Sequence, residues 1–351
     1  MSNLINDIRN TKDFRGITFS NFKKSDVNKE LLNCILSNKL ESALNWTAEL
    51  ICASHFIDLW DSILLIISKH IHLANIKLPS YILLRFNQFK EIIRDGYIGN
   101  EIALRNNSKI RQLFAEVIIV LVQSNKKPSF EKIKITPLSF NINNIAPLFK
   151  APSVNYAKKV FKQKDPKELF IAINELAFHL CGKKKNLKEA CYWIEWILEM
   201  ESFSRTKKKQ PLKSESRYFS PVEDKHRENP IWIIWELILN NSKDKLINKI
   251  LNDLMELFSI KYTPSSNKKR RYILYFSIEL LTESFDRNVN IINDKSLIKD
   301  MLKKHDVIYN KIKKNEVAPK TDYLFNNSIS QKTNLEKTLD KLDALNKLKT
   351  Y

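Results

Sequence analysis

Glycine is scarce: the 351 residues hold four, Gly16, Gly96, Gly99 and Gly182, and none falls in a G-x-G-x-x-G or a G-x-x-x-x-G-K-[ST] pattern. Phosphate cradles need glycine where the backbone turns tightly against the ligand, so a P-loop or dinucleotide fold is nearly excluded. The same shortage argues against an all-β protein with many tight turns. Cysteine is as rare. Cys34, Cys52, Cys181 and Cys191 show no C-x-x-C spacing, which predicts buried, reduced thiols in a cytoplasm-like compartment rather than a disulfide or zinc framework. The longest apolar run, around Leu59 to Ile67, is interrupted by Asp61 and closed by Lys69 and His70, too short to span a bilayer. Met1 to Asn10 has no cationic segment leading into an apolar one, so neither a secretory signal nor a membrane anchor is expected. Enzyme signatures are also missing: there is no H-E-x-x-H, G-x-S-x-G or kinase-like set. His70 and His72, at i,i+2, fall on different helix faces, while His55 with Asp58 and His179 with Glu175 have helical spacing and read as structural donor–acceptor pairs. No catalytic residue, metal or cofactor is expected.

What the chain does have is apolar bulk and positive charge. A 43% apolar composition supplies a sizeable core. The formal net charge of +20 attracts polyanions over several Debye lengths and makes nucleic acid the leading partner class. The competing explanation is lysine serving solubility in a Lys- and Asn-rich chain.

The chain also repeats itself, and a repeat constrains architecture before any local reading does. Leu40 to Ile51 aligns with Leu187 to Leu198, keeping Leu40, Ala43 and Trp46 over Leu187, Ala190 and Trp193. Leu59 to Leu64 aligns with Ile234 to Leu239, each with a tryptophan followed by an acid, and Arg111 to Ser124 pairs without a gap with Arg271 to Ser284. Upstream, Phe22-Lys23 and Lys29-Glu30-Leu31 match Phe161-Lys162 and Lys167-Glu168-Leu169. Apolar residues recur at three- and four-residue spacing in each block, the signature of helices with one buried stripe. The fold expected is all-α: a tandem duplication of a multi-helix unit, as a bundle or cyclin-like repeats. Its tryptophans read as core anchors at helix crossings.

The divisions that follow are an N-terminal segment 1–20, copy one at 21–125, a linker 126–157 carrying Pro128, Pro137, Pro147 and Pro152, copy two at 158–286, and C-terminal helices and tail at 287–351. The first helices of the copies should begin near Lys29 and Lys167, the second after an Asp165 N-cap and Pro166. Alternation over Phe130 to Ile135 allows one short strand. The insertion at 202–229, which holds Arg205, Lys207, Lys208, Lys209, Lys213 and Arg217 together with Pro211 and Pro221, reads as an exposed basic loop or a disordered one. Ser296 to Lys314 reads as a further basic helix. Leu335, Leu339, Leu342, Leu345 and Leu348 give a stripe within 332–349 that docks on the body or binds a protein partner.

Basic clusters are the candidate functional residues. Lys183, Lys184 and Lys185 follow Gly182; Lys207, Lys208 and Lys209 sit in the insertion; Lys268, Lys269, Arg270 and Arg271 precede the last repeat helix, where copy one carries Arg105, Lys109 and Arg111. Cations repeated at one helix start suggest two related positive surfaces whose phosphate contacts give affinity without base readout. They also oppose the helix macrodipole, a cost on the order of a few tenths of a kcal/mol that a bound phosphate would relieve.

Through Asn45-Trp46-Thr47-Ala48-Glu49-Leu50-Ile51-Cys52, Leu104-Arg105-Asn106-Asn107 and Ala190-Cys191-Tyr192-Trp193-Ile194-Glu195-Trp196-Ile197-Leu198, the chain resembles a family of uncharacterised proteins encoded by large nucleocytoplasmic DNA viruses of algae and other protists. The resemblance covers most of residues 1–285 and is weaker in the tail. It implies a viral origin and a setting in the host cytoplasm or virus factory, and carries over no catalytic residues. By size and repeat number alone, the units are also similar to the paired cyclin-like repeats of general transcription factors. Two functions are expected in order: a non-enzymatic nucleic-acid-associated factor of viral replication or transcription, then a helical protein–protein scaffold.

Overall fold

Apolar stripes account for most of the helices, and side-chain N-caps open some of them. In the second half, Ile247, Ile250, Leu251, Leu254 and Phe258 are all buried on one face of a helix whose N-cap, Asp244, accepts from the amides of Leu246 and Ile247. Asn107, Asn186 and Asp294 cap three others in the same way, each worth about 1 kcal/mol. The computed structural model describes residues 4–181, 185–218 and 222–317, and over these the chain is all-α. Its helices are α1 (Lys24–Leu36), α2 (Leu40–Cys52), α3 (Phe56–Leu65), α4 (Leu78–Arg94), α5 (Ser108–Gln123), the one-turn α6 (Ile142–Ile145), α7 (Phe170–Leu180), α8 (Leu187–Thr206), α9 (Ile231–Asn240), α10 (Lys245–Ser259), the one-turn α11 (Ser266–Lys269), α12 (Arg271–Thr282) and α13 (Lys295–Lys313).

The two halves share part of a packing pattern, though α2 packs on α3 in the first and α9 on α10 in the second without a matching pair in the other half. In the first, α1 packs on α2, α3 and α5, α2 packs on α5, and α4 packs on α5; in the second, α7 packs on α8, α9 and α12, α8 on α12, and α10 on α12. Equivalent tryptophans hold equivalent places: Trp46 and Trp193 are each the seventh residue of α2 and α8, Trp60 and Trp235 each the fifth of α3 and α9. Trp193 and Trp235 are fully buried, whereas Trp46 is only partly buried, edge-on to Phe22 at 5.5 Å.

The halves meet where α4 lies on α10 and where the chain after α3 lies on α12. There α3 runs into a π-helical turn, Ile66–Ile71, and then into His72, whose backbone takes a positive φ of 53°. His72 is fully buried in the second half, Nδ1 2.9 Å from Glu279 Oε2 and its ring 4.6 Å from that of Phe276. A widened turn ending in a strained, buried histidine is costly unless tertiary contacts hold it; here the partner half does so.

Four expectations are corrected. Phe130 to Ile135 forms no strand, because its amides find no partner strand: Ser129 N donates to Lys69 O and Phe130 N to the Glu279 carboxylate, and the one β-bridge among the described residues joins Ile17 and Lys23. The first helices begin at Lys24 and, after a 3-10 turn over Lys167–Leu169, at Phe170. Asp165 does not cap the second of these, since its carboxylate accepts from the amides of Lys162 and Glu215 and from Arg217. The insertion is not a free loop throughout. Ser214 N and Arg217 N donate to Glu228 O and Arg227 O, and buried Arg217 grips both oxygens of Asp165 at 2.7 Å and Glu236 at 2.7 Å.

The basic helix expected at Ser296 to Lys314 is α13, and it completes the first half rather than the second. It packs on α2 and α5 with Met301, Tyr309 and Ile312 buried. Beyond it, Val317 O accepts from Ile8 N and Val317 N donates to Asp7. The leucine stripe of 332–349 lies outside the described residues. Among those described, no helix is long and apolar enough to cross a membrane, and the four cysteines are free. Burial pushes the Cys52 thiol up to about 12 and that of Cys191 well above its ordinary value.

Candidate nucleic-acid interface

Position decides which cations remain for a ligand. Arg105 and Arg111 are buried near the start of α5: Arg105 Nη2 donates to Asp7 O at 2.8 Å, Arg111 Nε donates to Arg105 O at 2.6 Å and Nη2 to Asn106 Oδ1 at 3.0 Å, and the Arg111 guanidinium lies 3.9 Å from the centre of the Tyr309 ring. Burial lowers the Arg105 guanidinium from its ordinary value. Arg271, at the start of α12, is buried too, with Nη1 2.7 Å from Glu195 Oε2 and Nε donating to Lys268 O. Phosphate contact therefore fails at Arg105, Arg111 and Arg271, because all three are buried and bonded to internal acceptors.

Three further cations close helix C-termini, where exposed carbonyls carry partial negative charge. Arg270 Nη1 donates to Phe258 O and Ile260 O at the end of α10, at 2.7 and 2.6 Å, and its other nitrogen reaches Asp61 at 3.3 Å. Lys185 Nζ donates to Leu281 O at 2.6 Å near the end of α12, and Lys126 Nζ to Leu121 O and Val122 O near the end of α5. Leu121 and Leu281 hold the same place in the gapless alignment of the last repeat helices, so lysines from unrelated points of the chain close the same position in each half. Burial lowers the Lys126 ammonium to about 8. Lys268 is paired with Glu199 at 2.7 Å.

Lys109, Lys207, Lys208, Lys209 and Lys269 remain exposed, and no ion pair engages them among the described residues. Lys183 and Lys184 lie outside those residues. The Lys268–Glu199 pair ties α11 to α8, but Lys269 lines a hollow with Asp58 and Asp61 of α3, and about 12 Å or more of helix axis separates Glu199 from Lys207. Lys207 to Lys209 stand together at the end of α8. Arg205 joins them, paired with the buried Glu201 at 3.0 Å. Lys109 is elsewhere, on the α4–α5 surface beside the Arg85–Glu116 pair.

The acids and histidines behave as structure. His55 Nε2 lies 2.6 Å from Ile17 O, with Asp58 at 3.8 Å. His179 lies 3.8 Å from Glu175, whose carboxylate instead accepts from the amides of Lys150 and Ala151. Among the described residues no cluster of three His, Cys, Asp or Glu side chains is arranged to hold a metal ion. Sequence reasoning missed the polar seam of α8 and α12, in which Glu195 accepts from Arg271 and from Tyr275 Oη at 2.9 Å. The i, i+4, i+8 spacing of Arg271, Tyr275 and Glu279 carried that signal. Set against family models, curated proteins and solved structures, the chain finds no match in any of the three.

Proposed function

We propose that this protein is a non-enzymatic nucleic-acid-associated factor that grips the phosphate backbone through the exposed lysines of its second half. The observation that carries the reading is Lys207, Lys208 and Lys209 standing exposed at the end of α8 with no ion-pair partner among the described residues, on a chain of net charge +20. Closely spaced lysines without carboxylate partners bind phosphates as point charges and release condensed counterions. Lys109, Lys183 and Lys184 add to the footprint; the buried arginines do not. A tandem duplication is the simplest origin for the repeated helix order, and is proposed with it. The setting, replication or transcription of a large DNA virus in the host cytoplasm or virus factory, rests on the family resemblance alone.

The test is fluorescence anisotropy on labelled duplex DNA and on single-stranded RNA across a salt series. Affinity should fall steeply as salt rises, and Lys207→Glu/Lys208→Glu/Lys209→Glu should flatten the log–log slope by about two to three. Binding absent at low salt, or indifferent to salt, would remove the reading.

A further inference from the structure

Between the halves lies an open apolar groove of about 680 Å³ that the polyanion reading leaves unused. Its long walls are helix faces: α3 presents Ile57, Trp60 and Leu64, and α4 presents Phe86, Phe89 and Ile93. Each set follows i, i+3, i+7, two turns or about 10 Å of helix axis. The end of α10 faces them with Ile260. Ile57 is exposed, and Phe86, Ile93 and Ile260 are half-buried, so the groove has apolar surface left to cover. Its rim is of both signs, with Lys90, Arg94 and Lys261 against Glu101 and Glu256. Such a rim selects neither a small anion nor a small cation; it suits an apolar face that is itself flanked by both.

The chain carries such a face. Leu335, Leu339 and Leu342, at i, i+4 and i+7, fall on one side of a two-turn helix, the same advance as the groove walls. Glu336, Lys337, Asp340, Lys341 and Asp343 stand between and beside them. These residues lie outside those described, and the described chain ends close to the groove. Val317 N donates to Asp7, Ile8 N donates to Val317 O at 3.2 Å, and Thr11, three residues after Ile8, lines the groove. The chain thus leaves the described body within roughly 15 Å of it, and residues 318–334 reach up to roughly 55 Å before Leu335. A tether that spans its site with slack holds the segment at an effective concentration on the order of millimolar, an advantage no separate helix of equal affinity has.

We propose that residues 332–349 dock as an amphipathic helix in this groove of the same chain, with Leu335, Leu339 and Leu342 against Ile57, Phe86, Ile93 and Ile260. This is the helix-in-groove mode of recognition, applied within one molecule. Because α3 and α4 belong to the first half and α10 to the second, the docked helix clamps the halves together. The proposal is independent of nucleic-acid binding, since none of the lysines assigned to phosphate lines the groove.

Hydrogen exchange of the full chain, read by mass spectrometry, is the test. Amides of 332–349 should exchange about tenfold or more slowly than in Leu335→Asp/Leu339→Asp/Leu342→Asp, a variant that alters no described residue. Ile57→Asp/Ile260→Asp, on the opposite side of the contact, should remove the same protection. A fluorescent 332–349 peptide should bind the triple leucine variant saturably and the parent about tenfold more weakly, because the parent's own segment competes. The proposal is overturned if 332–349 exchanges equally fast in the parent and the triple variant, which would leave the groove to some other partner. It is overturned if protection survives Ile57→Asp/Ile260→Asp, for the segment would then dock elsewhere. It is equally overturned if protection vanishes on dilution of a parent that elutes as a dimer, for the segment would then seat in a second copy.

Discussion

Arg111 and Arg271 align in the gapless match of 111–124 with 271–284, and each half buries its arginine by a different route. The contacts of Arg111 include the carbonyl of Arg105, the amide oxygen of Asn106 and the face of Tyr309, a residue brought in by α13 from beyond the second half. Arg271 meets a carboxylate, Glu195, within its own half. A cation repeated at one position is therefore no evidence of a repeated binding surface: burial fixed the need for a partner, and each half met it with whatever its surroundings offered.

The comparison is most sharply tested by removing each cation. Arg271→Met leaves Glu195 buried without its counter-ion, a loss of about 3–5 kcal/mol, and Arg271→Met/Glu195→Gln should recover most of it. Arg111→Met forfeits hydrogen bonds to a carbonyl and an amide oxygen and a ring contact, and should cost about 1–3 kcal/mol. Urea denaturation of the variants measures both, and equal losses in the two halves would break the contrast.

A smaller effect separates two acids of the second half. Burial raises the Glu195 carboxyl against the opposing pull of Arg271 and Tyr275, so ionising it is harder in the folded chain than in the unfolded one, and its contribution is lost as pH rises through the raised value. Burial also opposes ionisation of Asp165, but hydrogen bonds from Arg217 and from the amides of Lys162 and Glu215 prevail and hold it below its usual range. Its contribution is present above about pH 4 and disappears as pH falls through the lowered value. Melting curves between pH 7 and 3 should show Asp165→Asn losing less stability on acidification than the parent, and Glu195→Gln losing more. Slopes of the same sign would contradict the assigned shifts.

The smallest effect is on the exposed side of the comparison. Lys207→Glu/Lys208→Glu/Lys209→Glu should leave the urea midpoint within about 0.5 kcal/mol of the parent while altering salt-dependent binding. A large loss of stability would mean that these lysines are structural as well.

Much of the fold was legible because it rests on local pattern. The limits of α13 fall within a residue of those read from its charge and periodicity, and Trp193 and Trp235 are the core anchors their spacing implied. The candidate site was legible only as a list of cations. Which are exposed depends on partners distant in sequence: Glu195 lies 76 positions from Arg271, and Asp165 lies 52 from Arg217. Composition counts a charge without saying what it faces. Phe130 to Ile135 failed as a strand for a related reason, since alternation shows that a segment can pair, while a ladder needs a neighbour.

The docking of α13 onto α2 and α5 also bears on how the protein is made. Tyr309 and Ile312 fill part of the first half's interior, yet they leave the ribosome only after the entire second half. Domains ordinarily fold in the order of their synthesis. Here the earlier-made half waits with oily surface exposed until the later one is complete, so a message truncated after α12 would yield a finished second half joined to an unfinished first.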